Sequence, residues 1–153
     1  MAAGILVDTN VLVYAHDPAD PGKQARAIAV LAGLADHRAG ILAAQSLAEF
    51  YWATTRTRRS LLTPAEAETQ IDRLAASWPV LDLTPAIVCE AVRGVRRHRL
   101  AYWDAQIWAA ARLNQVPLVL SEDFTDGARL EGVRFLDPFR PGFVIESVLT
   151  SRT

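Results

Sequence analysis

Four acidic residues, far apart along the chain, stand where strands are predicted to end or helices to begin: Asp8, Glu49, Asp104 and Asp123. Carboxylates brought within a few ångströms repel one another and raise one another's pKa unless a cation neutralises them. Oxygen ligands without histidine or cysteine suit Mg²⁺ or Mn²⁺ better than zinc. Such a cluster commonly hydrolyses phosphodiesters, because the bound metal activates a water and stabilises charge on the phosphate oxygens.

Strand and helix patterns alternate along the chain and decide whether these acids can meet. Strands are predicted at residues 5–7, 40–44 and 80–83, in the apolar part of 116–124, and in a shorter run within 133–139. Helices are predicted after Pro21 and at about 47–58, 64–78, 85–99 and 102–115. The alternation predicts a doubly wound α/β domain with a parallel sheet covered by helices on both faces. Residues 142–153 receive no assignment.

Ligands of such folds bind at the carboxyl ends of the parallel strands. Asp8 ends the first strand and Asp123 follows the fourth. Ser46 is predicted to cap the helix that carries Glu49, with Glu49 at the capping-box position. Helices that link parallel strands run antiparallel to them, so Glu49 and Asp104, near helix starts, should lie at the same edge. The sequence therefore predicts that all four acids converge there.

Each acid also has an ordinary structural role open to it. Asp8 and Asp123 are common turn residues, Glu49 could complete a capping box, and Asp104 could interact with the helix dipole. Their coincidence at one edge favours the metal site. Asn10 and Ser121 are interpreted as polar groups that orient the carboxylates or a water, although local turn hydrogen bonds would also explain them.

The fourth acid has alternatives close by in "SEDFTDG", residues 121–127. Glu122 and Asp126 are reserve candidates for the position given to Asp123. Solvent-facing or structural roles are the simpler reading of both.

Composition limits the class of protein. The 153 residues are 51% hydrophobic and carry a formal charge of −1, which fits one domain spanning residues 1–153. The single cysteine, Cys89, excludes an internal disulfide and a cysteine-rich zinc site, and its apolar neighbours predict that it is buried. No apolar run approaches the roughly 20 residues of a membrane span, and no secretory signal is evident. We expect a soluble cytoplasmic protein without membrane contacts.

The charge pattern allows an anionic partner once the four acids are set aside. Without their four negative charges the formal charge changes from −1 to +3. Arginines cluster at Arg56, Arg58 and Arg59 and at Arg93, Arg96, Arg97 and Arg99. Solvated helix ends explain these clusters, and so would contacts with phosphates. Among the tryptophans, Trp103 beside Asp104 is the one placed to stack on a base.

With these residues in view, the chain resembles the PIN-domain ribonucleases, in particular the VapC-like toxins of type II toxin–antitoxin pairs. The matching stretches cover nearly the whole chain: "ILVDTNVLVYA", "SLAEFYW", "LAYWDAQIWAAA" and "VPLVLSEDFTDG". The resemblance implies a PIN-like three-layer sandwich, with a parallel sheet of four to five strands flanked by helices. It also implies that Asp8, Glu49, Asp104 and Asp123 hold Mg²⁺ or Mn²⁺, with polar support from Asn10 and Ser121.

The function implied by the resemblance is that of a metal-dependent endoribonuclease whose products carry a 5′-phosphate and a 3′-hydroxyl. Its implied partners are an RNA substrate, a small antitoxin protein that covers the site, and a second copy of the chain in a homodimer. One alternative is a non-catalytic PIN-like module that binds RNA or protein. Another is a phosphatase of the haloacid-dehalogenase type, which Asn10 disfavours because that chemistry requires a second aspartate at its position.

Overall fold

A single mostly parallel sheet organises the computed structural model, which describes residues 4–56 and 58–151. The strands within that range are β1 (Ile5–Val7), β2 (Gly40–Ala43), β3 (Val80–Leu81), β4 (Leu118–Leu120), β5 (Arg129–Leu130) and β6 (Val133–Leu136). Their order across the sheet is β3-β2-β1-β4-β6-β5, and every neighbouring pair is parallel except β5 and β6. The predicted α/β class and parallel sheet are confirmed.

Helices cover both faces of the sheet and make it the middle of three layers. In the described ranges they are α1 (Thr9–Tyr14), α2 (Pro21–Asp36), α3 (Ala44–Thr55), α4 (Pro64–Ser77), α5 (Pro85–His98), α6 (Tyr102–Leu113) and α7 (Ile145–Thr150). None of the helices in the described part of the chain is long and apolar enough to cross a membrane.

Alternating side chains of β1 divide the core in two. Leu6 packs with α5 and α6 in a cluster that includes Trp108 and Phe135. Ile5 and Val7 face the opposite side, where the other helices bury a second cluster that includes Phe50. Since the central strands β1, β2 and β4 are apolar on both faces, polar groups in this part of the sheet lie beyond the strand ends.

Three short elements were not predicted from the sequence: α1, β5 and α7, the last of which lies within the unassigned residues 142–153. Helix α1 begins directly after β1 and has only six residues, too few for a helical period to show against the apolar strand. Strand β5 pairs antiparallel with β6 through a tight turn at Glu131 and Gly132, whose φ values are 45° and 88°. Positive φ at both central residues is typical of the turn type that favours glycine. The sheet therefore has one strand more than predicted.

The predicted cap of α3 is wrong. The helix begins at Ala44, because β2 continues into it without a loop and Ala43 serves as its N-cap without a side-chain hydrogen bond. Ser46 lies inside the helix, where its Oγ is buried without a hydrogen-bond partner among the described residues. The helix ends at Thr55, before the arginines at 58 and 59. Glu49 consequently sits in the second turn and belongs to no capping box.

Cys89 was expected to be buried and is exposed instead. Ile87, Ala91 and Gly94 form the buried face of α5. Cys89 lies two residues from Ile87 and from Ala91, which places it on the opposite side of a helix with 3.6 residues per turn.

Helices α5 and α6 approach each other closely at Gly94. A Cβ added there would come within 2.7 and 2.9 Å of the buried Trp108 ring. Because α6 carries Asp104 in its first turn, this contact fixes one of the four acids relative to the sheet.

We expect Gly94→Ala to destabilise the protein by about 1–3 kcal/mol, since the added methyl overpacks the Trp108 ring. Gly22→Ala in α2 is the matched control, because a Cβ there has only an ordinary contact at 3.6 Å. The control should leave the free energy of unfolding unchanged or raise it by up to about 1 kcal/mol, because alanine has a higher helix propensity than glycine. Urea unfolding measures both, and equal midpoints for the two variants would show that the contact is not tight.

Candidate functional site

The first acid is fixed where two central strands end together. Val7 of β1 pairs with Leu120 of β4, so the next residues, Asp8 and Ser121, are neighbours. The Ser121 hydroxyl donates to Asp8 Oδ2 at 2.6 Å, and the Thr9 amide donates to Asp8 Oδ1 at 2.7 Å. Asp8 is 4% exposed and Ser121 fully buried. Adjacent parallel strands thus hold a carboxylate beneath the surface.

Asn10 brings the fourth acid to the first. Its Nδ2 lies 3.4 Å from Asp8 Oδ2, 3.1 Å from Ser121 Oγ and 3.2 Å from Asp123 Oδ2. Its Oδ1 accepts from the Glu122 amide at 3.4 Å, and Ser121 Oγ accepts from the Asp123 amide at 3.1 Å. The loop after β4 is thereby held against the start of α1.

Glu49 joins the same edge through side chains of two helices. Thr9 Oγ1 donates to Glu49 Oε2 at 2.9 Å, and Gln45 Nε2, one turn earlier on α3, donates to Glu49 Oε1 at 2.6 Å. Gln45 Nε2 also donates to the Trp103 carbonyl at 3.0 Å. The peptide that leads into Asp104 is therefore tied to the side chain that holds Glu49.

A chain of buried amides supports Gln45 from behind. Gln106 Nε2 donates to Gln45 Oε1 at 2.8 Å, and the Tyr102 hydroxyl donates to Gln106 Oε1 at 2.9 Å. Gln45 and Gln106 are 9% and 3% exposed. Because these groups satisfy one another, the amide of Gln45 has a fixed orientation toward Glu49.

The four acids form an edge cluster that runs from the interior to the surface. Asp8 is buried, Glu49 and Asp104 are half-buried, and Asp123 is exposed. Burial raises the pKa of Asp8 from 3.8 to about 7, against the hydrogen bonds from Ser121 and Thr9, with further rises from the charges of Asp123 and Glu49. Burial followed by the same two charges raises the pKa of Asp104 from 3.8 to about 6. The structure therefore brings all four acids within electrostatic reach of one another.

The donor set of the edge cluster fits a hard divalent cation. All four acids supply oxygen, and burial together with the charges of Asp123 and Glu49 raises the pKa values of Asp8 and Asp104. In the described ranges, however, no three His, Cys, Asp or Glu side chains are close enough to hold an ion as they stand. Ion binding would thus require the carboxylates to adjust.

The two reserve acids have other partners. Glu122 pairs with Lys23 Nζ at 2.7 Å and accepts from the Tyr14 hydroxyl at 2.9 Å. Asp126 accepts from the Asp137 amide at 2.9 Å and pairs with Arg140. Their charges are neutralised away from the cluster, which leaves Asp123 as the acid of this loop that faces Asp8.

Three contacting residues were missed from the sequence: Thr9, Gln45 and Gln106. Thr9 follows Asp8 directly, and Gln45 precedes Glu49 by four residues, a spacing at which helical side chains meet. With a helix predicted to begin at Ala44, that spacing would have identified Gln45 as a neighbour of Glu49. The sequence gives no such signal for the bond between Gln106 and Gln45, because these two residues are 61 positions apart.

The parallel sheet and the acids at its carboxyl edge define an α/β domain with an acidic site. The family model described as PIN domain matches residues 5–125. The chain therefore belongs to the PIN domain family. No curated protein matches the chain.

Solved structures of similar fold include toxins and toxin–antitoxin complexes. Mycobacterium tuberculosis VapC20, titled a sarcin-ricin loop cleaving toxin, is 18% identical with a TM-score of 0.62, over 76% of this chain and 87% of that one. DNA-bound VapBC from Salmonella typhimurium is 13% identical with a TM-score of 0.62, over 89% and 98%. Promoter-bound VapBC2 from Rickettsia felis is 12% identical with a TM-score of 0.60, over 86% and 96%. At these identities the likeness establishes a shared fold.

The raised pKa of Asp8 gives the metal-free protein a defined pH dependence. Between about pH 4 and 7 the unfolded chain ionises Asp8 while the folded protein keeps the proton, so stability falls as the pH rises through this window. We expect Asp8→Asn to remove that loss. Its melting temperature should exceed that of the parent at pH 8, by about 2–4 °C per kcal/mol gained, with no advantage near pH 4.

Thermal unfolding in EDTA at both pH values measures the difference. Added Mg²⁺ or Mn²⁺ should then raise the melting temperature of the parent but not of Asp8→Asn. A variant less stable than the parent at pH 8 would contradict an uncompensated charge at Asp8.

Proposed function

We propose that this protein is a metal-dependent endoribonuclease that hydrolyses RNA phosphodiester bonds, acting as the toxin of a toxin–antitoxin pair. The observation that carries the proposal is the edge cluster of Asp8, Glu49, Asp104 and Asp123, in which burial and mutual repulsion raise two pKa values. A binding surface for a polyanion has no use for such a concentration of negative charge. A site that holds a divalent cation against a phosphate requires it.

Each residue of the site has a distinct part in this proposal. Asp8, Glu49, Asp104 and Asp123 would hold Mg²⁺ or Mn²⁺, which when bound supplies an activated water and stabilises charge on the phosphate. Ser121 and Asn10 orient Asp8 and Asp123, and Thr9 and Gln45 orient Glu49. The bond broken joins phosphorus to the 3′ oxygen, so the products carry a 5′-phosphate and a 3′-hydroxyl.

The proposed partners follow the structures of similar fold. VapC20 is described as a sarcin-ricin loop cleaving toxin, and another structure of similar fold, from Klebsiella pneumoniae, is a toxin–antitoxin complex. We propose that this chain likewise cuts RNA and binds a small antitoxin protein. A homodimer is part of the same proposal.

Loss of any one acid of the cluster should abolish cleavage, whereas loss of a nearby acid outside it should not. We expect Asp8→Asn, Glu49→Gln and Asp104→Asn each to lower kcat by at least about 10²-fold, since each removes charge that neutralises the ion. Asp126→Asn is the matched control, because its carboxylate serves Asp137 and Arg140. The assay follows cleavage of single-stranded RNA in Mg²⁺ or Mn²⁺, with EDTA as the metal-free arm.

Growth inhibition in the same variants separates an enzyme from a binding module. A module that acts by occupying RNA or a protein should keep its toxicity in the Asp104→Asn variant, whereas a nuclease should lose its toxicity. The proposed function would be overturned if the Asp104→Asn variant stayed toxic and the parent cleaved RNA in EDTA as well as it does in Mg²⁺ or Mn²⁺.

Gln45 should matter through Glu49 and not only through stability. We expect Gln45→Ala to lower activity about 10- to 100-fold and to raise the Mg²⁺ concentration needed for half-maximal activity, because Glu49 loses a donor at 2.6 Å. Gln70→Ala on α4 is the control for loss of a glutamine far from the cluster. An unchanged Mg²⁺ requirement in Gln45→Ala would show that Gln45 has a structural role alone.

A further inference from the structure

An open groove with aromatic walls continues from the edge cluster. Its volume is about 640 Å³, within the ~300–1,000 Å³ typical of small-ligand sites. Trp52, Leu83 and Trp103 line it and are 60%, 50% and 63% exposed. Large apolar side chains gathered on a surface in this way mark an interaction site more often than chance exposure.

The groove and the edge cluster share residues. Glu49 of the edge cluster lines the groove, together with Thr9, whose hydroxyl donates to it. Trp103 directly precedes Asp104 at the start of α6. If the phosphodiester of an RNA strand lies at the edge cluster, an adjacent nucleotide of that RNA therefore lies at the aromatic walls of the groove.

Trp103 is exposed but held in place. Its ring packs edge-on against the Tyr102 ring, with centroids 4.9 Å apart and an angle of 80° between the planes. The Tyr102 hydroxyl is bonded to Gln106, and the Trp103 carbonyl accepts from Gln45. A ring fixed in this way loses little conformational freedom when a partner stacks on it.

Charge favours a polyanion at the end of the groove near Trp52. The Arg56 guanidinium lies 5.1 Å from the Trp52 ring centroid, and the exposed Arg58 and Arg59 follow it along the chain. Positive groups beside an aromatic surface are the arrangement that proteins use to bind single-stranded nucleic acid, with bases on the rings and phosphates on the cations.

The polar floor of the groove is largely occupied by its own bonds. Both Nε2 hydrogens of Gln45 are used by Glu49 and the Trp103 carbonyl, and its Oε1 accepts from Gln106. The Gln45 amide therefore has little hydrogen-bonding capacity left for the edge of a base. Stacking without hydrogen bonds to the base edge does not distinguish one base from another, so any unpaired base can bind.

We propose that the groove between Trp52 and Trp103 is a stacking site for an unpaired nucleobase next to the phosphodiester that is cut. The proposal rests on the proposed function, since it names how the same site recognises its RNA. It makes Trp52 and Trp103 substrate-binding residues that select unpaired RNA without selecting its sequence.

The test compares Trp52→Ala, Trp103→Ala and Trp103→Phe with Tyr51→Ala. Tyr51 is the matched control, because it is exposed, lies beside Trp52 on α3 and does not line the groove. The probes are a short unstructured oligoribonucleotide and versions of it with one base removed at successive positions. Cleavage gives KM and kcat, and fluorescence anisotropy on an Asp8→Asn background gives Kd without turnover.

We expect both alanine variants to raise KM and Kd by roughly tenfold while kcat stays within about twofold, as loss of a stacked base predicts. Trp103→Phe should recover most of the affinity, and Tyr51→Ala should match the parent. Removing the base at one position should weaken the parent and leave the alanine variants unaffected, because the stacking partner is already lost.

Two results would overturn the proposal. One is unchanged Kd and KM in both alanine variants. The other is unchanged RNA affinity together with a loss of dimers or of binding to a co-purified protein, which would make the groove a protein interface. If the parent cuts no RNA, the proposed function fails by itself, and the anisotropy arm still decides whether the groove binds bases.

Discussion

The hydrogen bond between the Ser121 hydroxyl and the Asp8 carboxylate is the contact on which the site depends. It joins the first residues beyond two adjacent parallel strands, so their register sets its geometry. A carboxylate that is 4% exposed is costly unless donors and charges compensate for the lost water. Here Ser121 and the Thr9 amide compensate in part, yet the pKa of Asp8 remains near 7. The burial that these donors do not offset favours a proton on Asp8 in the metal-free protein, and in the proposed function a bound cation would take the place of that proton.

Several acids outside the edge cluster are paired with basic side chains. Lys23 neutralises Glu122, and Arg140 neutralises Asp126. Elsewhere, Glu131 contacts three basic side chains, Arg93, His98 and Arg112. These contacts, that of Arg93 above all, lower the pKa of Glu131 to about 2. Glu90, Glu122, Asp126 and Glu131 thus have basic partners, while the acids of the edge cluster face one another. This contrast separates the four acids of the cluster from those paired carboxylates.

Much of the fold could be predicted from the sequence, because strands buried on both faces and helices opened by Thr-Pro pairs leave strong local signals. The convergence of the four acids followed from topology alone, since strand ends and helix starts share one edge in a parallel sheet. The missing parts were decided by direct transitions between elements. Asp8 passes from strand to helix without a loop, and Ala43 does the same, so no loop marked the start of α1 or of α3, and only α1 has a side-chain cap, at Asp8. The role of Gln106 was not predicted because its bond to Gln45 joins distant parts of the chain.

The first turn of α6 shows how closely support, binding and chemistry are coupled here. Tyr102 bonds inward to Gln106, Trp103 faces the groove, and Asp104 joins the edge cluster. Gln45 holds the Trp103 carbonyl and the Glu49 carboxylate with one amide group, so the groove and the acids cannot move independently. A shift of α6 that displaced the aromatic wall would therefore displace an acid as well. In the proposed function, such coupling would restrict the geometry in which an RNA strand can occupy the groove and the edge cluster together, and close positioning of reacting groups is one way in which enzymes lower a barrier.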